Sequence, residues 1–181
     1  MKYTRKAMIA RYNAGQELHC LAFWGHTSTL GRVTKSCFSQ WYDCRFSVDG
    51  TIYHTAEQYM MAQKAILFQD ANALKQIMGT DNPKDYKALG RQIVNFSAAL
   101  WDREKYRIVL TGNLAKFAQN PELFQFLDST GDQVLVEASP YDSIWGVKLA
   151  ADDPAIQDPN AWQGENLLGF ALMEVRDILR G

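Results

Sequence analysis

The chain has 181 residues, 47% of them hydrophobic and 22% charged, enough for one ordinary globular core and too few for two comfortable domains. A formal net charge of −1 argues against the bulk attraction to nucleic-acid phosphate or to a membrane that a strongly basic chain would have, and leaves room only for a local basic pocket. Cys20, Cys37 and Cys44 are odd in number with no CxxC pair, and no stretch resembles a leader or a span of roughly 18 apolar residues, so the expectation is one cytoplasmic domain over 1–181 with no disulfide framework, metal or cofactor.

In chain order, residues 1–16 read as a loosely ordered arm or a short hairpin. Cys20 to Trp24 has the apolar run of a buried strand ending at Gly25, and the polar stretch from His26 to Lys35 reads as a loop. The aromatic run Phe38-Ser39-Gln40-Trp41-Tyr42 leads into Arg45 to Tyr53, where Asp49-Gly50 suits a type I′ hairpin turn. Thr55 followed three residues later by Gln58 is a capping-box pattern, and it predicts a helix through Phe68. Asp70 can cap a short helix to Met78, and Asn82-Pro83 can open another, which Gly90 either ends or opens to a close neighbour. Ser97 to Gln119 reads as helical, with Leu100, Trp101, Ile108, Val109, Leu114 and Phe117 as its apolar positions. Asn120-Pro121 then starts a helix through Leu127. Beyond the turn at Ser129-Thr130-Gly131-Asp132, Val134 to Ala138 is the clearest strand. Ser139 to Trp162, with Pro140, Pro154 and Pro159, lacks periodicity and reads as a long functional loop. Asn166 to Arg180 closes the chain as an amphipathic helix with Leu167, Phe170, Ala171, Met173 and Ile178 facing the core. These elements describe an α+β, helix-rich domain with a small β-sheet.

Glu57, Met61, Lys64 and Phe68 fall on one stripe of the Thr55 helix at about 100° per residue. Burying a carboxylate or an ammonium costs several kcal/mol unless it is paired or faces a wet cavity, so an apolar stripe carrying both suggests the wall of a cleft. Glu137, Ser139, Asp142, Trp145 and Gly146 form a second cluster past the end of the best strand, where sites often lie. There Asp142 could do acid–base work, or it could simply make an Asx turn after Pro140. Asn166 reads as an N-cap, or as an amide presented to a ligand beside Gly164 and Gly169. Phe23, Trp41 and Trp101 suit a core or a stacking platform for a base. His19, His26 and His54 show no ligand spacing, and Walker-A, GxGxxG, GxSxG and HExxH patterns are absent.

Taken together, these motifs resemble the YbiA-like family, also called the NADAR domain, from about Leu21 to Leu179. The resemblance rests on Tyr53-x-Thr55-x-Glu57-x-Tyr59-Met60 with Lys64, Gly90-Arg91, Trp101 and Lys116-Phe117. It continues through Leu135-Val136-Glu137-Ala138-Ser139 with Asp142 and Trp145-Gly146, and Trp162-x-Gly164-x-Asn166-x-Leu168-Gly169 with Leu172-Met173 and Arg176. It implies a YbiA-like fold and a metal-independent N-glycosidase that hydrolyses the C1–N bond between a ribosyl phosphate or ADP-ribosyl group and a nucleobase-like group. That group would be a riboflavin-pathway aminopyrimidine or an ADP-ribosylated guanine, the latter free or within nucleic acid. A module that binds NAD or ADP-ribose without turnover is the alternative.

By the same resemblance, Glu57, Lys64 and Asp142 are the catalytic candidates. Glu57 or Asp142 would stabilise positive charge at C1, and Lys64 offers a Schiff-base route through C1 of the opened sugar. Phe23, Gly25, Ser39, Gln40, Arg91, Trp101, Lys116, Trp145, Gly146 and Asn166 are the substrate-binding candidates, with Arg91 and Lys116 suited to phosphate and Trp101 or Trp145 to the base. Two positions depart from the family pattern. Gln40 stands where an asparagine is usual, and Val147-Lys148 stands where a second glycine is usual.

Overall fold

The computed structural model describes residues 1–27 and 31–181; residues 28–30, part of the expected polar loop, lie outside the described residues. In chain order its elements are α1 (Arg5–Asn13), β1 (Cys20–Phe23), β2 (Phe46–Val48), β3 (Thr51–Tyr53), α2 (Ala56–Leu67), α3 (Ala71–Met78), α4 (Pro83–Gln92), α5 (Ala98–Gln119), α6 (Pro121–Ser129), β4 (Val134–Glu137) and α7 (Leu167–Arg180), with 3-10 turns at Lys35–Phe38 and Pro154–Gln157. They divide into two compact units, Met1–Ser39 with Pro121–Gly181, and Gln40–Asn120.

In the first unit β1 and β4 pair in parallel, with Phe23 opposite Glu137. Val134, Leu135 and Val136 are all buried, as the unbroken apolar run of a strand covered on both faces requires. Helix α7 packs on β4, and its fully buried residues Leu168, Leu172 and Val175 follow i, i+4, i+7 spacing. Ile178, expected in the core, is 48% exposed because it lies off that stripe. Arg176, buried on α7, donates from Nη1 to Thr130 Oγ1 at 2.7 Å and to the Gln133 carbonyl at 3.1 Å, holding the helix to the turn before β4.

The N-terminal segment is not a hairpin. Thr4 is an N-cap whose hydroxyl accepts from the Ala7 N–H at 3.1 Å, which starts α1. That signal was present in the sequence, and the weak apolar patterning of the segment obscured it. Only Met8 of this helix is buried. Lys2 Nζ and Tyr3 Oη both donate to Asp177 Oδ2 at 2.6 Å, fastening the start of the chain to α7.

The second unit is built around α2, which contacts α3, α4 and α5. Being covered on several sides, it is buried without interruption from Ala56 to Ala62. Asp49 and Gly50 both have positive φ, 50° and 77°, the conformation a type I′ turn needs, and β2 and β3 pair in antiparallel register around them. Thr55 Oγ1 accepts from the Gln58 N–H at 3.0 Å, while Gln58 Oε1 accepts from the His54 N–H at 2.8 Å. The reciprocal bond of the expected capping box thus closes one residue earlier than the usual pattern. Gly90, inside α4 rather than at its end, lets Met61 approach so closely that an added Cβ would lie 2.0 Å from its Sδ.

Candidate functional site

In the second unit, the start of α2 places Glu57 in a buried position, 5% exposed, with its N–H donating to the Gln40 carbonyl at 2.8 Å. Two turns further along, Lys64 is half-buried. Its Nζ donates to the Gly90 carbonyl at 2.6 Å and lies 4.6 Å from the centre of the Phe96 ring and 5.4 Å from that of Trp101. Burial pushes the Lys64 pKa below the ordinary lysine value, and the Glu57 carboxylate acts in the opposite direction by favouring the ammonium. The predicted pair on one stripe of α2 is therefore electrostatically coupled. Trp101 is brought to Lys64, and Arg91 follows the glycine that holds it, on an exposed position of α4.

Lys116 behaves differently from an open phosphate ligand. It is fully buried on α5, with Nζ 5.5 Å from the Tyr42 ring centre and 5.3 Å from that of Phe117. Gln40 is 9% exposed, and its Oε1 accepts from Asn113 Nδ2 at 2.8 Å. Asn113 and Phe96 were not singled out from the sequence, and Tyr42 was named only as part of an aromatic run. Asn113 could have been, since it is one helical turn from Val109 on the apolar stripe of α5, where an amide needs a reason. A groove of about 680 Å³ runs between α3 and α4, and neither Glu57, Lys64 nor Gln40 lines it.

In the first unit, the remaining candidates sit where the parallel strands end. Phe23 closes β1, but it is buried and packs edge-to-face on Phe38 at 5.4 Å, a core residue rather than an open stacking surface. Gly25 turns the chain away at φ +83°. Ser39, half-buried, donates its N–H to the Ser36 carbonyl at 3.1 Å. Asp142 Oδ1 accepts from the Ile144 and Trp145 N–H groups, both at 2.8 Å. This is the Asx-turn reading of that residue, and it sets the course of the loop carrying half-buried Trp145.

Gly146 is confined by the Glu137 carbonyl, 2.8 Å from where a Cβ would stand. Its own carbonyl would meet a Cβ on Gly164 at 2.2 Å, so these two glycines let the loop fold back on itself. Lys148 is exposed and holds φ at +58°, a left-handed conformation that favours the glycine usual there. Asn166 is not an N-cap by its side chain. It sits at φ +57° and spends its amide on β4, with Oδ1 accepting from the Glu137 N–H and Nδ2 donating to the Leu135 carbonyl, both at 2.9 Å. Fully buried and doubly bonded, it positions the strand end.

Among the described residues, no group of three or more His, Cys, Asp or Glu is arranged to hold a metal ion, and no helix is long and apolar enough to cross a membrane.

The chain belongs to the NADAR domain family, whose model matches residues 22–180. It is 45% identical over 157 residues to N-glycosidase R617 of Acanthamoeba polyphaga mimivirus, covering 84% of this chain and 92% of that protein. It is 30% identical over 142 residues to N-glycosidase YbiA of Escherichia coli, covering 78% and 80%. The NMR structure of the Escherichia coli protein YbiA superposes with a TM-score of 0.73 at 26% identity, over 91% of this chain and 87% of that one.

Proposed function

We propose that this N-glycosidase cleaves the C1–N bond joining a ribosyl phosphate or ADP-ribosyl group to a nucleobase-like group, such as an aminopyrimidine or a guanine, free or within nucleic acid. The observation that carries the reading is the coupled pair on α2, a buried Glu57 and a Lys64 held by the Gly90 carbonyl between Phe96 and Trp101. Several relatives in the family carry the name N-glycosidase.

As the base departs with the electron pair of the C1–N bond and takes up a proton, positive charge develops on C1 and the ring oxygen. A fixed carboxylate in a water-poor site is well suited to stabilise it. Water then supplies the hydroxyl at C1. In a second route the ring oxygen leaves C1 and takes a proton, and the neutral amine of Lys64 adds to the open-chain C1. The base departs with the C1–N electron pair and the proton lost by the amine, and water hydrolyses the resulting Schiff base to the free sugar and the restored lysine. Burial favours that neutral amine. Asp142, engaged in its turn, is assigned to shaping the loop. Arg91, exposed on α4, is the residue we assign to phosphate.

The test is incubation with ADP-ribosylated guanine and with the phosphoribosylaminopyrimidine, following free base by chromatography. Glu57→Gln is expected to slow release by at least about 100-fold, the scale of a lost charge-stabilising or acid–base group, with its melting temperature unchanged. Borohydride should trap the sugar on Lys64 only if the Schiff-base route operates. Saturable ADP-ribose binding with no product from either compound would instead mark a non-catalytic binding module.

A further inference from the structure

We propose that Asn113 is a positioning residue that sets the polarity of the Gln40 side chain, so that position 40 offers a ligand oxygen a hydrogen-bond donor and withholds an acceptor. Asn113 is fully buried, and its Nδ2 donates to two oxygens, the Val109 carbonyl at 2.9 Å and Gln40 Oε1 at 2.8 Å. A backbone carbonyl can only accept, so the nitrogen of Asn113 must be on that side. With a donor facing it, Gln40 must present its oxygen to Asn113 and turn its Nε2 the other way. The two amides thus fix one another, starting from a group that cannot flip.

The direction matters because Gln40 Nε2 is buried and has no hydrogen-bond partner within the protein. A buried donor left unmet is destabilising, and few are tolerated without a purpose. Of the two ends of this amide, the fold uses the oxygen, which accepts from Asn113, and leaves the nitrogen unused. The Gln40 backbone carbonyl accepts from the Glu57 N–H, so residue 40 is tied to the start of α2, the turn that carries Glu57. On the functional reading above, on which this inference rests, the group at Glu57 is the ribosyl moiety, which is rich in oxygen acceptors and offers its hydroxyls to either polarity. A donor placed by Asn113 selects among its oxygens.

Three variants test the inference. Gln40→Met keeps the length and removes the amide. Gln40→Glu keeps the oxygen facing Asn113 and turns the donor into an acceptor. Asn113→Leu removes the orienting group at nearly constant shape. Binding of ADP-ribose is measured by calorimetry, KM and kcat on ADP-ribosylated guanine by base release, and folding by melting temperature. Gln40→Met and Gln40→Glu are expected to weaken ADP-ribose binding by about tenfold, the scale of one hydrogen bond, while Gln40→Met does not lower the melting temperature further in the Asn113→Leu background, where the bond between the two amides is already gone.

Asn113→Leu is expected to raise Kd and KM more than it lowers kcat, and to have no further effect on binding in the Gln40→Met background, since it acts through that amide. An equal loss in both backgrounds, or wild-type binding by Gln40→Met, overturns the proposal. A lower melting temperature for Gln40→Met with unchanged binding does so too, by showing that the amide serves the fold through a buried water. If wild type binds no ADP-ribose, the substrate reading fails, and the unmet donor is then judged on melting temperature in the Asn113→Leu background, where the bond to Gln40 Oε1 is already absent: a further loss of stability on adding Gln40→Met removes it.

Discussion

A lysine on a helix surface ordinarily keeps its ammonium hydrated and its pKa near 10.5; Lys64 is denied much of that water by Phe96 and Trp101, and burial lowers its pKa. Between the lowered folded value and the ordinary unfolded one, the unfolded chain binds more protons, so this residue makes stability rise with pH across that window. Lys64→Met lacks the dependence. Urea unfolding should therefore favour the variant over wild type more at pH 7 than at pH 10, and an advantage that does not shrink with pH would contradict the assigned burial. Glu57 opposes the shift, so Glu57→Gln should lower the Lys64 pKa further, measurable by NMR titration of its side chain. If Lys64 is the nucleophile, kcat/KM rises with pH through that same pKa, because only the neutral amine attacks.

Helix α2 is placed by close approach as much as by periodicity. At Gly112 on α5, an added Cβ would stand 2.4 Å from a ring carbon of Tyr59 on α2. That ring is buried and sits edge-on against Tyr53 at 5.1 Å, so it has nowhere to swing. Alanine is the better helix former by about 1 kcal/mol, but overpacking a filled core costs about 1–3 kcal/mol. The clash should win, and Gly112→Ala should lower the melting temperature; a variant as stable as wild type would show that α5 can retreat. Gly90→Ala meets the flexible thioether of Met61 instead, which can repack at lower cost.

At the scale of the molecule, one compact unit is assembled from both ends of the chain, with Gln40–Asn120 forming the other. Its parallel strands β1 and β4 stand on either side of that long intervening stretch in sequence, and its first residues are fastened to its last helix through Asp177. Burial alone would raise the Asp177 pKa, but hydrogen bonds from Lys2 and Tyr3 outweigh it and hold the carboxyl below its ordinary value. The stability this contributes is present above the unfolded carboxylate pKa and is lost as pH falls through the folded one. Asp177→Asn should speed tryptic cleavage in the first six residues at neutral pH. It should also flatten the acid limb of the stability profile; unchanged cleavage would mean that α1 is held by Met8 instead.

The local signals were legible in the sequence because their causes are local. Thr55, Asp70 and Asn82 cap helices by bonding backbone within three residues of themselves, and Asp49-Gly50 turns a hairpin by its own φ angles. The α2 stripe that pairs Glu57 with Lys64 also followed from helical geometry, and the scattered motifs carried the family. What each polar group would bond to was not legible, since those partners come from far along the chain. Asn166 looked like a cap and instead serves β4, Lys116 looked like a phosphate ligand and is enclosed among rings, and Asn113 gained its importance only when Gln40 was set against it. The sequence by itself determined the helices from α2 onward, the hairpin and the charged stripe of α2. Only tertiary structure decided which buried polar atoms were satisfied, because burial and distant partners, not local propensity, determine whether such a group is spent on the fold or held for a ligand.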